Sequence, residues 1–360
     1  MDQSFWRNRK VLITGHTGFK GGWLTKILHS LGSKIVGVSN TDMGPLSLYN
    51  ILGLNSRLSN THYGLNQFID LLDENSLQTV FQKFNPEIVF HLAAQPIVIN
   101  SYKEPYLTHQ TNFIGTLNIL EASRKNANLS VFISVTTDKV YHNNGDIFSF
   151  RETDALGGHD PYSASKACAD ILTQSYFKSF FNELNIGVAS ARAGNVIGGG
   201  DWAENRLIPD IVRSAHSNEK LVIRNPSATR PWQHVLEPLS GYILLAQKLH
   251  ENPQKHSSPI NFGPKTTDVL TVSEVLKLFS KFLDKKVSYE IMASTEYHEA
   301  KFLSLDCSTA NFTLGWRPTW NAETAIRYTA EWYNAFENRN ALEQLTTTQI
   351  ERYQSNRTGQ

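Results

Sequence analysis

Tyr162 and Lys166 stand four residues apart in Tyr162-Ser-Ala-Ser-Lys166, downstream of the segment Thr136-Thr137-Asp138-Lys139. Residues at i and i+4 share a helix face, so this spacing sets an ammonium beside a phenol and lowers the phenol's pKa. A tyrosine activated in this way takes the proton from a hydroxyl while hydride leaves the carbon that bears it. Tyr-x-x-x-Lys alone is a weak signal, since many helices carry it on a solvated face. It gains specificity here because the apolar run Ser130–Val135 reads as a strand that ends at Thr136-Thr137-Asp138-Lys139. The carboxyl end of a strand is where open-sheet enzymes place reacting groups. Asp138 and Lys139 add further proton-handling groups and suggest a second proton transfer after the hydride step.

A place to hold the hydride carrier lies upstream, in Gly15-His16-Thr17-Gly18-Phe19-Lys20-Gly21, between an apolar strand and a helix. Gly15 permits a tight turn, Gly18 lets the backbone approach a pyrophosphate, and Gly21 lets the helix pack closely on the sheet. The helix N-terminus attracts the phosphates. Glycine patterns are common in turns, but this one has the strand-to-helix context that a dinucleotide site requires. Thr17, Phe19 and Lys20 count with the glycines as cofactor contacts, and Tyr162 and Lys166 reach the same cofactor. The acid expected after the second strand is replaced by Ser39-Asn40-Thr41, yet no Arg or Lys lies between 35 and 50 to meet a 2′-phosphate. NAD is therefore expected rather than NADP. Asp70, Leu71, Ala93 and Ala94 are expected beside the adenine and its ribose.

These residues need a scaffold of alternating strands and helices. Strands are predicted at Lys10–Thr14, Lys34–Ser39, Pro86–Leu92, Ser130–Val135 and Gly187–Ala191. Helices are predicted at Gly21–Leu31, Leu77–Phe84, Pro105–Arg124 and Tyr162–Phe181. The fold class is α/β, a doubly wound parallel Rossmann-type sheet with a smaller interleaved C-terminal substrate domain. The NAD domain is expected to span 1–193 with 231–264, including late sheet elements near Val235 and Ile260–Gly263. Residues 194–230 with 265–342 are expected to form the smaller substrate domain, with a helix at 321–342. Residues 343–360 read as a polar, loosely ordered tail.

The net charge of +1 and the absence of a basic stripe exclude nucleic acid as a partner. No run of 18 apolar residues suggests a membrane span, and the N-terminus has no apolar signal core, so a cytoplasmic protein is expected. Cys168 and Cys307 fit no disulfide framework, and the histidines form no metal cluster. Cys168 reads as a buried packing thiol, and His234 as a packing residue.

Several blocks together resemble the extended short-chain dehydrogenase/reductase family that modifies nucleotide sugars, over residues 10 to 340. They are Gly15–Gly21, His91-Leu-Ala-Ala-Gln-Pro96, Thr136–Lys139, Ala191-Arg-Ala-Gly-Asn-Val-Ile-Gly-Gly-Gly-Asp-Trp202, Arg206-Leu-Ile-Pro209 and Arg230-Pro-Trp-Gln-His-Val-Leu-Glu-Pro238. Within the family they resemble 4,6-dehydratases that act on CDP-glucose. The resemblance implies oxidation at C4, loss of water across C5–C6 and hydride return to C6. It implies that Tyr162 is the base, that Thr137 bonds the 4-oxygen and that Asp138 protonates the departing 6-hydroxyl. Lys139 is either a neutral base at C5 or a charged partner of the enolate. Arg224, Arg230 and Asn195 are implied at the diphosphate or nucleotide, Leu207 and Asn225 in the nucleotide pocket, and Gln95 near the sugar. Arg206 and Arg213 are each as easily surface ion pairs as substrate contacts. Val98-Ile99-Asn100 departs from the family's Val-Arg-Arg. The family also implies a homodimer through a four-helix bundle built from 105–124 and 162–181. A 4-epimerase needs no C5–C6 elimination, so Asp138-Lys139 argues against it. A silent dinucleotide-binding module has no use for Thr137, Tyr162 and Lys166 together.

Overall fold

The computed structural model describes residues 1–59, 66–145, 147–217, 219–292 and 302–358. Seven parallel strands form one sheet: β1 (Lys10–Thr14), β2 (Lys34–Ser39), β3 (Asn66–Phe68), β4 (Ile88–His91), β5 (Val131–Val135), β6 (Gly187–Ala193) and β7 (Ile260–Phe262). Their order is β7-β6-β5-β4-β1-β2-β3, which reverses direction between β1 and β4. This is the expected doubly wound arrangement, and its ligand crevice belongs at that switch point. β4, β5 and β6 are buried along their whole length, as a sheet covered on both faces requires. Register sets Thr14 beside His91, His91 beside Ser134, and Val135 beside Ala191, so the carboxyl ends share one rim.

The covering helices are α1 (Phe19–Ser30), α2 (Glu74–Phe84), α3 (105–124), α4 (Pro161–Tyr176), α5 (Leu236–Glu251), α6 (Ala322–Asn334) and α7 (Arg339–Thr358). α2, α3 and α4 pack in succession along one face, while α1 and α5 meet on the other. Local chemistry fixes their starts. The Asp73 carboxylate accepts from Ser76 N at 3.0 Å and opens α2, which stops at Asn85 in the left-handed region. Asp160 does the same for α4, with Pro161 in its first turn. Both α3 and α4 contain or run into a π turn, at Gln110–Ile114 and Phe177–Phe181.

Some expectations are corrected. The edge strand β3 is only three residues long and gave no readable pattern. The strand near Val235 is Gln233–His234, paired with Val196–Ile197 in a separate two-stranded sheet. The helix expected over 321–342 ends at Asn334. The tail is α7, a 20-residue helix with Leu342, Ile350 and Tyr353 buried. Its few apolar residues are widely spaced, and Tyr353 is anchored by a hydrogen bond to Glu237 at 2.7 Å. Cys168 is exposed on α4 rather than packed. Within the segment 265–320, residues 293–301 lie outside the described residues, as do 359 and 360 of the tail. Among the described residues no helix is long and apolar enough to cross a membrane.

His234 packs edge-on against Trp23 and Trp320, and His91 bridges Thr14 and Thr116. Burial pulls both rings down from 6.5 to about 3, Lys166 adding to the effect at His91, so both are neutral in the folded chain. The unfolded chain binds those protons near pH 6.5, so the stability they carry is full above that pH and is lost as pH falls toward 3. Thermal unfolding from pH 7 to pH 4 is expected to show this loss, with a shallower slope in His234→Asn.

Candidate active site

The turn after β1 is built for close approach. Gly15 has φ +72°, and its N–H donates to Val38 O at 2.7 Å. A Cβ on Gly21 would lie 2.0 Å from the Gly15 carbonyl oxygen, so α1 can approach the turn only with hydrogen at that position. Gly18 caps α1 without any side-chain acceptor, which leaves the first-turn N–H groups directed at the crevice. These features fit a dinucleotide pyrophosphate.

The turn forms one wall of a cavity of about 1170 Å³ at the carboxyl rim. Every candidate on the cofactor side reaches it: Gly15, Thr17, Gly18, Phe19, Lys20, Gly21, Asp70, Leu71, Ala93 and Ala94. Ser39, Asn40 and Thr41 line it where the ribose acid was missing. Thr137, Lys139, Tyr162 and Lys166 line its centre, and Gln95, Asn195, Arg206, Leu207, Arg224, Asn225 and Arg230 line the far side. Asp138 alone among the candidates lies behind the wall, fully buried. It reaches the cavity through Thr137, whose hydroxyl donates to Oδ1 at 3.0 Å, and through the Lys139 ammonium at 3.3 Å. Its Oδ2 has no hydrogen-bond partner among the described residues. Gly194 faces that oxygen, and a Cβ there would come within 2.8 Å of it.

Lys166 is 3% exposed, and its Nζ donates to Val135 O at 2.9 Å. Burial pulls the ammonium down to about 8, while Asp170 acts the other way. The phenol is not lowered as the spacing predicts: burial pushes Tyr162 up to about 12, opposed by a hydrogen bond with Thr137 and by the charge of Arg206. Burial and then Arg206 bring Lys20 down to about 7, with Asp138 opposing. Arg206 itself pairs with Asp201 at 2.8 Å. Arg213 stays out of the cavity and braces its rim, donating to Trp202 O and Ala203 O at 2.8 and 3.1 Å. His234 is a packing residue, as expected. Val98 and Ile99 line the sugar side.

Sequence reasoning missed five residues around this centre. Asn112, in the π turn of α3, accepts from Gln95 N at 2.8 Å and donates to Ser165 Oγ at 2.9 Å, locking α4 to the β4 loop. A π turn gives no sequence pattern that would mark it. Asp170 and Arg192 form a buried bidentate ion pair behind Thr136, with both bonds at 2.8 Å. Asp170 was legible as the next i+4 step after Lys166. Trp202 and Trp232 also line the cavity.

Fold and site together define a Rossmann-type protein of the short-chain dehydrogenase/reductase class. The model of the family described as GDP-mannose 4,6 dehydratase matches residues 12–329, and the chain belongs to that family. It is 42% identical over 341 residues to a CDP-glucose 4,6-dehydratase of Salmonella typhimurium, covering 93% of each chain. It is 27% identical to a dTDP-glucose 4,6-dehydratase of the same organism, over 91% of this chain and 93% of the other. Among solved structures it resembles a UDP-glucose 4-epimerase of Thermotoga maritima, at TM-score 0.76 and 24% identity over 90% of this chain and 98% of that one. A dTDP-glucose 4,6-dehydratase of Bacillus anthracis in complex with NAD gives TM-score 0.74 and 24% identity over 92% and 98%.

Adjacent glycines give a sharp test of the turn. Gly21→Ala is expected to cost about 1–3 kcal/mol in urea unfolding by forcing α1 from Gly15. At Gly22 a Cβ meets nothing nearer than 3.5 Å. Gly22→Ala, inside the helix, is expected to be neutral or stabilising by up to about 1 kcal/mol.

Proposed function

We propose that this chain is an NAD-dependent 4,6-dehydratase that converts CDP-glucose to CDP-4-dehydro-6-deoxyglucose. The observation that carries this reading is the meeting, in one cavity, of the glycine cradle, the Tyr162–Lys166 pair and Lys139, whose ammonium contacts the buried Asp138 behind the wall. Gly15, Gly18 and Gly21 with the α1 N-terminus would hold the pyrophosphate, with Asp70, Leu71, Ala93 and Ala94 toward the adenosine. The bound nicotinamide supplies the acceptor for hydride from C4 and its donor back to C6. Tyr162 takes the 4-hydroxyl proton, and Thr137 holds that oxygen in place. The new ketone acidifies C5–H.

The Asp138–Lys139 contact suits the elimination that follows. Shifting the pair's proton from nitrogen to oxygen turns Asp138 into an acid and Lys139 into a base at once. Lys139 then takes the C5 proton, the C–H electrons form the C5–C6 double bond, and the 6-hydroxyl leaves as water with the Asp138 proton. Arg224, Arg230 and Asn195 take the diphosphate side, and Leu207 and Asn225 take the nucleotide. The preference for CDP rests on the 42% identical relative. Free thiols at Cys168 and Cys307 suit a reducing cytoplasm.

Mass spectrometry of CDP-glucose, dTDP-glucose, UDP-glucose and GDP-mannose after incubation with enzyme and NAD tests the reading. Loss of one water from CDP-glucose alone, without net NADH, is expected. Unchanged mass in every tube would overturn it. Tyr162→Phe should lower turnover at least ~100-fold while keeping NAD binding. Lys139→Met should allow oxidation at C4 without loss of water.

Exposed Tyr106, Leu107 and Ile114 on α3, with Ile171 on α4 and Phe180 in the π turn after it, support pairing of two copies through a four-helix bundle. Sedimentation equilibrium should then give twice the 40.6 kDa of the chain, and a stable single-chain mass would rule the pairing out.

A further inference from the structure

Tyr162, Lys166 and Asp170 occupy positions i, i+4 and i+8 of α4, so phenol, ammonium and carboxylate follow one another along one face. The first two line the cavity. Asp170 lies behind it, fully buried, and accepts four hydrogen bonds: from Arg192 Nε and Nη2 at 2.8 Å each, Gln174 Nε2 at 2.8 Å and Thr136 Oγ1 at 3.0 Å. Thr136 stands between Val135, whose carbonyl takes the Lys166 ammonium, and Thr137, which bonds Tyr162. One carboxylate thus ties α4, the end of β5 and the Arg192 side chain of β6 into a single unit.

We propose that Asp170, oriented by Arg192, is a positioning residue that fixes both the place and the charge of Lys166, and through it the basicity of Tyr162. The proposal rests on the dehydratase reading above for what that basicity accomplishes. Its physical ground is that an ammonium withdrawn from water, with a single carbonyl as acceptor, sheds its proton unless a negative charge stands near. The titratable neighbours coupled to Lys166 from other elements are Lys20 from α1, an amine that burial brings down to about 7, and His91 from β4, a neutral ring, and neither brings negative charge. Tyr162 on its own helix is a protonated phenol. Asp170 is the negative group, and burial of Lys166 is what it acts against. Arg192 adds a second contact set, donating from Nη1 to Tyr141 OH at 2.9 Å and to Glu152 O at 3.1 Å. The pair therefore cannot turn away from Thr136.

The test follows the ionisation of Lys166 directly, by NMR of protein labelled with 13C at lysine Cε, the Lys166 signal being assigned by its loss in Lys166→Met. Asp170→Asn keeps the shape and removes the charge. It also leaves Arg192 buried without a counter-charge, so Asp170→Asn combined with Arg192→Met is prepared beside it to secure a folded protein. Lys166 is expected to titrate lower by about one pH unit in Asp170→Asn, and by less in the double variant. The alkaline limb of the kcat profile should move to lower pH in step. A Lys166 titration that stays in place in either folded variant, with only urea stability reduced, overturns the proposal. The NMR titration needs no turnover, so an inactive wild type would count against the dehydratase reading alone.

Discussion

One charged nitrogen in a nearly dry place sets the terms for this molecule. Burying an ammonium without compensation costs several kcal/mol, so Lys166 must be met by groups that neither move nor admit water. Its acceptor is a backbone carbonyl at the last residue of β5, which is free to face inward because the strand stops there. α4 must then run against the sheet at a height fixed by the Asp160 cap and the Asn112–Ser165 bond. The cap, the π turn of α3 and the flush strand ends follow from that requirement.

Residues with positional chemistry were legible in the sequence, and those held by tertiary packing were not. The glycine turn, the Tyr162–Lys166 spacing and the strand end at 136–139 each combine a local pattern with a chemical need, and all of them meet in one cavity. The five long strands were readable because a sheet covered on both faces writes them as unbroken apolar runs. β3 was not, being three residues at an edge. α7 was misread because polar residues dominate it, and its ordering depends on Glu237, Thr346 and the aromatic floor beneath it. Asp138 was expected in the cavity and lies behind its wall, since burial behind Thr137 leaves no trace in spacing. Cys168 failed for a related reason. Helical periodicity shows that a face exists, not which neighbour covers it.

The substrate half of the cavity is organised differently from the cofactor half. Around Tyr162, Lys166 and the glycine turn the groups are carried by strand ends and first turns of helices, so their positions follow from the sheet. On the far side Arg206, Arg224 and Arg230 come from short strands and loops between 201 and 230. They are steadied by Asp201, by the bracing of Arg213 and by the small two-stranded sheets. Loops on that side can therefore vary while the strand ends hold the rest of the cavity in place.

Seven tryptophans are spread through the chain, and only Trp202 and Trp232 border the cavity. Trp202 is half-buried, packed at a tilt of 53° against Phe336 at a centroid distance of 4.7 Å, on the loop that Arg213 holds in place. Reduced nicotinamide absorbs in the near-ultraviolet, where indole emits, and oxidised nicotinamide does not. With NAD held at this rim, emission from these two rings would fall by energy transfer whenever the nicotinamide is reduced and recover when it is oxidised. Two tryptophans on the cavity wall would thus serve as a built-in optical reporter of the state of a bound nicotinamide.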